Sequence, residues 1–459
     1  MTIELIETID TTETPFTLTD PALLYRIGQK LEMQGYIGEL QNKLATYLAG
    51  TTKDYKRDER IGIIIKGEPG GGKSTLLDVL EKYFADCVKS YHRMTAHAPD
   101  YWAKEIGTLD GKILIIKQMD GAEAIQYTMQ IMVDPVGNGL KILTTSGTPG
   151  NMGTKEISLS GLPVMCSTTV NFQMDNQILR RFYTIYPDDS PDQTLKIDVH
   201  KGKLRQDPTY RNMIKSTDQD LVNIPIQLKT ESAKFGVIIP FAEYIAKERF
   251  PTESLLARSD IDKFFNFITA VTHLYYKQRL SFIDCNGKVQ LIASPIDYYY
   301  TWQIVKESLP KRLSGITDER SYRIFMIVQK ECIMGGSVDI TDVMKLAYAE
   351  GMNYSRNTIW CTLADLRDRG YVQSEVNPND KRKRLWNLTG KSYEPFGITF
   401  PDENIENLYI QFVAKNIGSE LSKENWELLG KSMRAVDLVS GKDITAKIVS
   451  EKSRSMLKL

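Results

Sequence analysis

The sequence predicts an α/β core, a parallel sheet flanked by helices, followed by a helical lid and a small helical unit with a two-stranded hairpin. Three observations lead to this prediction. An apolar strand at residues 61–66 runs directly into a glycine-rich loop and a helix. Two further short apolar strands follow at 112–116 and 162–166. Residues 317–390 then show three helix patterns and two strand patterns around a turn.

The glycine-rich loop fits the pattern G-x-x-x-x-G-K-[ST], the phosphate-binding loop of P-loop NTPases. Glycines let its backbone N–H groups turn toward phosphate oxygens without hindrance from side chains. Lys73 would place a cation on the β- and γ-phosphates, and Ser74 would offer its hydroxyl to Mg²⁺. The dipole of the following helix adds to this attraction. We therefore expect ATP and Mg²⁺ to bind here, with the loop formed by Gly67, Glu68, Pro69, Gly70, Gly71, Gly72, Lys73, Ser74 and Thr75.

Composition indicates an ordinary soluble protein of about two or three domains. Lys+Arg and Asp+Glu both number 58 in the 459 residues, so any nucleic-acid surface must be local. The five cysteines contain no CxxC pair, which favours a reducing compartment, and we expect a cytoplasmic protein without membrane contact. The expected organisation is a flexible segment 1–20, a core with N-terminal helices 21–230, a helical lid 231–315, a third unit 316–392 and a tail 393–459 of unknown role.

A P-loop ATPase needs a second strand that ends in acidic residues, one to order Mg²⁺ and one to polarise the attacking water. The strand at 112–116 is present, but Lys117 and Gln118 stand where the Asp and Glu are expected. Gln cannot act as a base, so hydrolysis should be slow while binding survives. Three interpretations are open. Gln118 is an engineered replacement of Glu that traps ATP, the protein is a natural ATP-binding switch, or Asp120 or Glu123 supplies the acid from a shifted register. Asp120 is also a candidate ligand of the metal, with Ser74.

The strand at 162–166 is followed by polar residues that suit the role called sensor 1, contact with the γ-phosphate and the lytic water. Thr168 is the first candidate and Asn171 the second. The alternative is a Ser/Thr-rich turn after a buried strand.

Arg180 and Arg181 end a predicted helix, where an arginine finger would reach the ATP site of a neighbouring subunit. A surface ion pair is the alternative. Arg258 opens a later helix and is a candidate sensor 2 arginine for its own subunit's site.

Between the two core strands, residues 140–161 alternate apolar and polar residues around a Gly/Pro/Asn-rich turn, which predicts a β-hairpin. Lys141 and Lys155 would present charge to a DNA backbone; an ordinary surface hairpin is the alternative.

Together these residues resemble the AAA+ ATPases that carry a hairpin before sensor 1, a clade that includes superfamily 3 and minichromosome-maintenance helicases. More narrowly, the chain is similar to helicase modules of mobile-element primase–helicases. The resemblance covers about residues 20–310 and implies a hexameric ring, with ATP sites between subunits and hairpins in a central channel. Relatives usually carry Glu at the position of Gln118, so this departure predicts impaired turnover. The segments that carry the resemblance are IGELQNKLATYLAG, KGEPGGGKST, ILIIKQMDGAEA, the hairpin and ILRRFYTIYPDDSPDQT.

The unit at 317–390 resembles a winged helix-turn-helix. Such a unit lays its third helix in the major groove of DNA and its hairpin, the wing, on the backbone. The third helix would present Arg356 and Asn357. The wing tip carries the densest positive patch of the chain, Lys381, Arg382, Lys383 and Arg384, which suits salt-sensitive phosphate contacts. A winged helix used for protein contacts and a solvated charge run are the alternatives.

The leading hypothesis is a DNA-dependent ATPase motor, a ring helicase of a mobile element or virus-like replicon. The second is an ATP-switched DNA-binding initiator or helicase loader, and the third is a non-hydrolysing assembly factor. The predicted hairpin favours the motor.

Overall fold

The structure is a computed structural model of the chain. It describes residues 16–92, 108–117, 139–148, 151–170, 177, 180–252, 255–316, 319–333, 336–378, 380–391, 396–418 and 420–457. Within 139–160, side chains are described only at 141, 143, 153, 154 and 156.

A five-stranded parallel sheet forms the centre of the main body, in the order β2-β3-β6-β1-β7. Its strands are β1 (Ile63–Lys66), β2 (Val88–Tyr91), β3 (Ile113–Ile116), β6 (Val164–Thr169) and β7 (Tyr183–Ile185). Apart from the half-exposed β2 edge, these strands are buried runs rich in β-branched residues, as expected for a parallel sheet covered on both faces. The register pairs Ile65 with Thr168, so the end of β6 lies beside the start of the P-loop. The predicted α/β core with a parallel sheet is confirmed.

Helices α1 (Leu23–Met33), α2 (Leu40–Thr51) and α3 (Lys73–Tyr83) share one hydrophobic core with a face of this sheet. Helix α2 is the most central of the three, since ten of its residues are buried. After the sheet come α4 (Pro191–Gln206), α5 (Pro208–Lys215) and α6 (Gln219–Glu231). Each of these three begins after a residue whose side chain accepts backbone N–H bonds: Ser190, Asp207 and Asp218.

The segment predicted as a helical lid contains helices and also a small sheet. Its helices are α7 (Ala242–Tyr244), α8 (Ala257–Leu274), α9 (Pro295–Val305) and α10 (Ser308–Ser314). Strand β10 (Val289–Ile292) pairs in parallel with β8 (Gly236–Ile238) and antiparallel with β9 (Ser281–Ile283). These strands are three or four residues long, and β8 and β10 are far apart in sequence. No local sequence pattern therefore predicted them. Helices α8 and α9 pack against α2, which joins this segment to the main body.

The predicted hairpin between the two core strands is confirmed. Strands β4 (Gly139–Thr148) and β5 (Asn151–Ser160) are each ten residues long and pair antiparallel with each other alone. At about 3.4 Å per residue, the hairpin is about 34 Å long, and it forms a sheet separate from the core sheet.

Residues 319–391 form a unit with its own hydrophobic core. It contains α11 (Glu319–Ile333), α12 (Ile340–Ala349), α13 (Arg356–Asp368), and the antiparallel strands β11 (Val372–Val376) and β12 (Arg384–Leu388). Trp386 is fully buried at its centre and forms a β-bridge with Val338 ahead of α12. The expected three helices and two-stranded hairpin are therefore present.

The tail predicted without a role returns to the main body. Its helices are α14 (Glu403–Asn416), α15 (Lys423–Ser432), α16 (Thr445–Ile448) and α17 (Glu451–Leu457). Tyr409 and Met433 are buried in the same core as the P-loop helix. Arg249 forms a 2.8 Å ion pair with Asp402 at the start of α14. The three-helix unit is thus inserted between two parts of one main body. None of the helices among the described residues is long and apolar enough to cross a membrane.

Candidate nucleotide site and its surroundings

The P-loop joins β1 to α3 at the carboxyl edge of the sheet. Gly70 and Gly72 have φ of 84° and 76°, left-handed conformations that favour glycine. The N-cap of α3 is Gly72, which has no side chain to cap the helix, and this end of the helix faces the loop. Lys73 Nζ donates to the carbonyl oxygens of Gly67 (2.9 Å) and Glu68 (2.6 Å). The cation therefore lies inside the loop, at the place where a phosphate would bind.

Strand β6 lies between β1 and β3, which places Thr168 between the P-loop and the second strand. The Thr168 hydroxyl donates to the carbonyl oxygen of Lys117, and the Ser167 hydroxyl donates to that of Ile116 at 2.7 Å. The N–H of Gly67 donates to the Thr169 carbonyl at 3.3 Å. The predicted sensor strand thus binds both the P-loop and the residue that precedes Gln118.

Several predicted site residues lie outside the described residues: Gln118, Asp120, Glu123 and Asn171. Lys117 is described, and its ammonium pairs with Glu81 of α3 at 2.9 Å. A lysine in the place of the expected Asp is therefore held by a structural partner on the P-loop helix.

Within the described part of the chain, no group of three or more His, Cys, Asp or Glu side chains is arranged to hold a metal ion. Ser74 is exposed in the first turn of α3, next to Lys73. Mg²⁺ in nucleotide sites keeps several waters and takes few protein ligands besides phosphate oxygens. The Ser74 hydroxyl fits that limited role.

A cavity of about 270 Å³ adjoins the P-loop and was not predicted from the sequence. Residues 35–39, the start of α3 and helix α4 enclose it. Its walls are apolar at Ile37, Leu76 and Ile197, and its Gln193 Nε2 donates to the Ile37 carbonyl at 2.7 Å. Apolar walls with a few polar groups suit a nucleobase attached to phosphates in the P-loop. The sequence feature that could have indicated this cavity is the pair Gly35 and Gly38, which lie on either side of two apolar residues.

Glu39 links this cavity to the P-loop. Its φ of 47° is unusual for a residue other than glycine. A Cβ atom on Gly72 would lie 3.6 Å from Glu39 Oε1, so this carboxyl group lies against the loop. Burial raises the pKa of Glu39 to about 7, although hydrogen bonds from Asn42, at 2.8 Å, and from the backbone of Asp188 oppose the increase. Glu39 is therefore an acid that titrates near neutral pH beside the phosphate site.

Arg180 and Arg181 lie at the opposite edge of the sheet from the P-loop, immediately before β7. Arg181 lines a small cavity with Gly62 and Pro163, which precede β1 and β6. Because the strands are parallel, this amino edge lies a full strand length, about 13 Å for four residues, from the carboxyl edge. The two arginines therefore lie outside this subunit's own ATP site.

A buried charge network fixes the segment that carries these arginines. Asp260 is fully buried and accepts from Lys263 Nζ at 2.9 Å and from Arg312 Nε at 2.6 Å. Lys263 Nζ also donates to the Arg180 carbonyl at 2.6 Å, and Arg312 Nη1 donates to the Phe182 carbonyl at 2.7 Å. Burial, reinforced by the Arg312 charge, lowers the pKa of Lys263 to about 8. Two cations around one carboxylate thus position the turn before β7.

Arg258 is exposed in the first turn of α8, the helix that also carries Asp260 and Lys263. The contacts of that helix lead to the Arg180 turn, and no described contact brings Arg258 to the P-loop of its own subunit. Its sensor 2 role stays a prediction.

The predicted DNA-contacting residues lie on two separate surfaces. Lys141 is exposed on β4, whereas the side chain of Lys155 on β5 lies outside the described residues. Arg356 and Asn357 are exposed at the start of α13, which Ser355 caps by accepting from the Thr358 N–H at 3.1 Å. The four basic residues Lys381, Arg382, Lys383 and Arg384 form the end of the β11–β12 hairpin and the start of β12.

Comparison with known proteins finds no matching family model and no matching curated protein. Among solved structures, the chain is similar to a full-length MCM homolog from Methanopyrus kandleri, with 11% identity and a TM-score of 0.38 over 64% of this chain. The chain spans 61% of that homolog's length. It is also similar to a candidate ATPase from Cytophaga hutchinsonii, with 10% identity and a TM-score of 0.32, over 61% of this chain and 87% of the other. At these values neither similarity assigns a family.

Proposed function

We propose that this protein is an AAA+ ATPase that acts as an ATP-driven motor on DNA, assembled as a ring of six subunits. The observation that carries the proposal is the arrangement of the main sheet. It presents a P-loop at one edge and an arginine pair, Arg180 and Arg181, at the other. A subunit built in this way completes a neighbour's ATP site and has its own site completed in turn. Such head-to-tail contacts close into a ring.

In this proposal, Lys73 and the N–H groups of the P-loop bind the triphosphate, and the cavity beside Ile37 binds the base. A bound Mg²⁺ would neutralise charge on the β- and γ-phosphates. Ser74 would hold this metal through its hydroxyl, and Thr168 would position the residues that meet the γ-phosphate. Arg180 or Arg181 of the adjacent subunit stabilises charge on the transferring phosphate, because a guanidinium is always charged and has a fixed geometry.

The hairpin and the inserted unit supply the DNA contacts in this proposal. The β4–β5 hairpin is long, and Lys141 on it is exposed. We propose that residues 319–391 form a winged helix, because three helices and a basic antiparallel hairpin share one core. Its wing would meet DNA phosphates. A replicon of a mobile element or virus is the proposed context, and the cytoplasm is the proposed location, since all five cysteines are free thiols.

The test is to restore Glu at position 118 and to measure ATP hydrolysis and strand displacement on forked DNA. If Gln118 blocks a competent site, Gln118→Glu should raise the hydrolysis rate by about 10²–10⁴-fold, the usual contribution of a general base. Unwinding should then depend on ATP. An equal rate in both proteins would show that Asp120 or Glu123 supplies the acid, or that the chain is a natural switch. Strong hydrolysis without any unwinding or translocation would contradict the motor and favour an initiator or loader.

A further inference from the structure

A cavity of about 420 Å³ opens between α12, α13 and the end of the β11–β12 hairpin. Four of the side chains that line it are cationic, Arg356, Arg382, Lys383 and Arg384, and one is acidic, Asp339. The volume lies within the range of about 300–1,000 Å³ that is typical of small-ligand pockets. The cavity thus combines strong positive charge with a concave shape.

Asp339 is committed to holding the cavity together. One carboxylate oxygen accepts the N–H groups of Thr341 (2.7 Å) and Asp342 (3.0 Å) at the start of α12, and the other accepts from Lys383 Nζ at 2.8 Å. Burial alone would raise the pKa of Asp339, but the bonds to Lys383 and the backbone outweigh it and lower this pKa to about 2. The Asp339–Lys383 pair therefore fixes the hairpin against α12. Arg382 pairs with Asp380 at 3.2 Å and Arg384 donates to the Ser374 hydroxyl at 3.1 Å, but each guanidinium has further N–H groups that can donate to an anion, as does that of Arg356.

Trp360 supplies a flat aromatic wall. Trp360 is 37% exposed, and its ring forms a T-shaped contact with that of the buried Trp386, with ring centroids 5.7 Å apart and ring planes at 77°. Arg356 and Asn357 precede it by four and three positions on α13, so all three lie on one face of the helix. The wall therefore combines an aromatic plane, an amide that can hydrogen-bond to a base edge, and a guanidinium.

These groups match the requirements of one unstacked nucleotide. Single-stranded nucleic acids bind through positive grooves that hold the phosphates and aromatic side chains that stack on the bases. Inside a base-paired duplex, the faces of the bases are covered by the stack and only their edges show in the grooves, so internal base pairs cannot stack on Trp360.

We propose that this cavity binds one unpaired nucleotide of a DNA strand, with its base stacked on Trp360 and its phosphate on Arg382 and Arg384. The proposal rests on the proposed DNA motor and adds its substrate class, DNA in which a duplex adjoins a single strand. The unit would thereby hold the strand that the motor separates.

The experiment uses the full chain and fluorescently labelled DNA, with binding measured by anisotropy. The DNAs are a blunt duplex, the same duplex with a single-stranded extension, and the single strand alone. Trp360→Ala should weaken binding of the extended duplex and of the single strand by about tenfold, the lower part of the range for loss of one stacked base. Blunt duplex binding should change by less than about twofold. Trp426→Ala is the matched control, because Trp426 is also a partly exposed helical tryptophan, on a different unit.

A second measurement does not depend on truncation of the side chain. The single strand should quench tryptophan fluorescence in the unmodified protein and in Trp426→Phe, whereas Trp360→Phe should lose most of this quenching. Equal weakening on blunt and extended DNA, or no weakening on either, would overturn the proposal. Displacement of the DNA extension by a free nucleoside monophosphate would overturn it too, because the cavity would then be a mononucleotide site. If the unmodified protein binds none of these DNAs, the proposed motor function itself fails.

Discussion

Lys73 is held within the P-loop, because its ammonium donates to two carbonyl oxygens of that loop. A bound triphosphate would exchange these neutral acceptors for charged ones. We expect Lys73→Ala to weaken ATP binding by about 10–100-fold, since a hydrogen bond to a charged group contributes about 1.5–3 kcal/mol. Calorimetric titration with ATP measures the change. Lys89→Ala, at an exposed position on β2, is the matched control and should bind ATP normally. Normal ATP binding by Lys73→Ala would mean that the site lies elsewhere.

Glu39 makes the stability of the main body depend on pH. Burial raises its pKa from 4.5 to about 7, and the hydrogen bonds from Asn42 and from the Asp188 backbone offset this increase only in part. The folded protein therefore keeps a proton that the unfolded chain releases near pH 4.5. The contribution of Glu39 to the free energy of unfolding should be fully present below pH 4.5. It should be lost as the pH rises to about 7, which lowers the free energy of unfolding by up to about 3 kcal/mol. We expect Glu39→Gln, which cannot ionise, to remove this part of the pH dependence.

Urea unfolding of both proteins at pH 5 and pH 7.5 measures this difference. Glu248→Gln, at an exposed position, controls for the substitution itself and should retain the pH dependence of the unmodified protein. The same loss of stability between the two pH values in Glu39→Gln would show that another group is responsible.

At the scale of elements, the structure makes the C-terminal tail part of the nucleotide-binding body. Met433 is fully buried in the core that contains the P-loop helix. We expect Met433→Ala to lower the free energy of unfolding of the main body by about 2–5 kcal/mol, because it leaves a cavity in that core. Urea denaturation followed through ATP binding measures the loss. Met456→Ala, on the exposed face of α17, should cost less than about 0.5 kcal/mol. If the tail unfolds without affecting ATP binding, the tail and the P-loop helix do not share one core.

Elements that depend on local patterns were predictable. The glycine loop between an apolar strand and a helix, the alternating residues of the hairpin, and the helix that Ser355 caps all have short-range signals. The β8–β10 pairing lacks such a signal, because its strands are short and distant in sequence. The cavity beside the P-loop was also missed, because it forms only where the loop at 35–39 meets α4.

At the scale of the whole molecule, the sequence order suggested a linear series of units, whereas the structure returns the tail to the first one. Buried charges were equally hidden from the sequence. Charged residues such as Asp260, Lys263 and Arg312 are usually exposed to solvent. In this structure they are buried and hold the turn that carries Arg180 and Arg181. The bonds from Arg312 to Asp260 and from Lys263 to the Arg180 carbonyl join residues that are distant along the chain, and single-sequence patterns do not encode that pairing.

The P-loop and the arginine pair lie at opposite edges of the sheet, one strand length apart, and this separation leads to a prediction about assembly. In the Gln118→Glu background, Lys73→Ala should lack a working P-loop and Arg180→Ala/Arg181→Ala should lack the arginines. Each protein alone should therefore hydrolyse ATP poorly. In an equal mixture, a subunit with intact Lys73 meets a neighbour with intact arginines at about a quarter of the contacts in a closed ring. We expect activity to return to that fraction, as measured by phosphate release over a range of mixing ratios. Two observations would contradict a shared site: no recovery in assemblies that demonstrably exchange subunits, or full activity of the arginine variant alone.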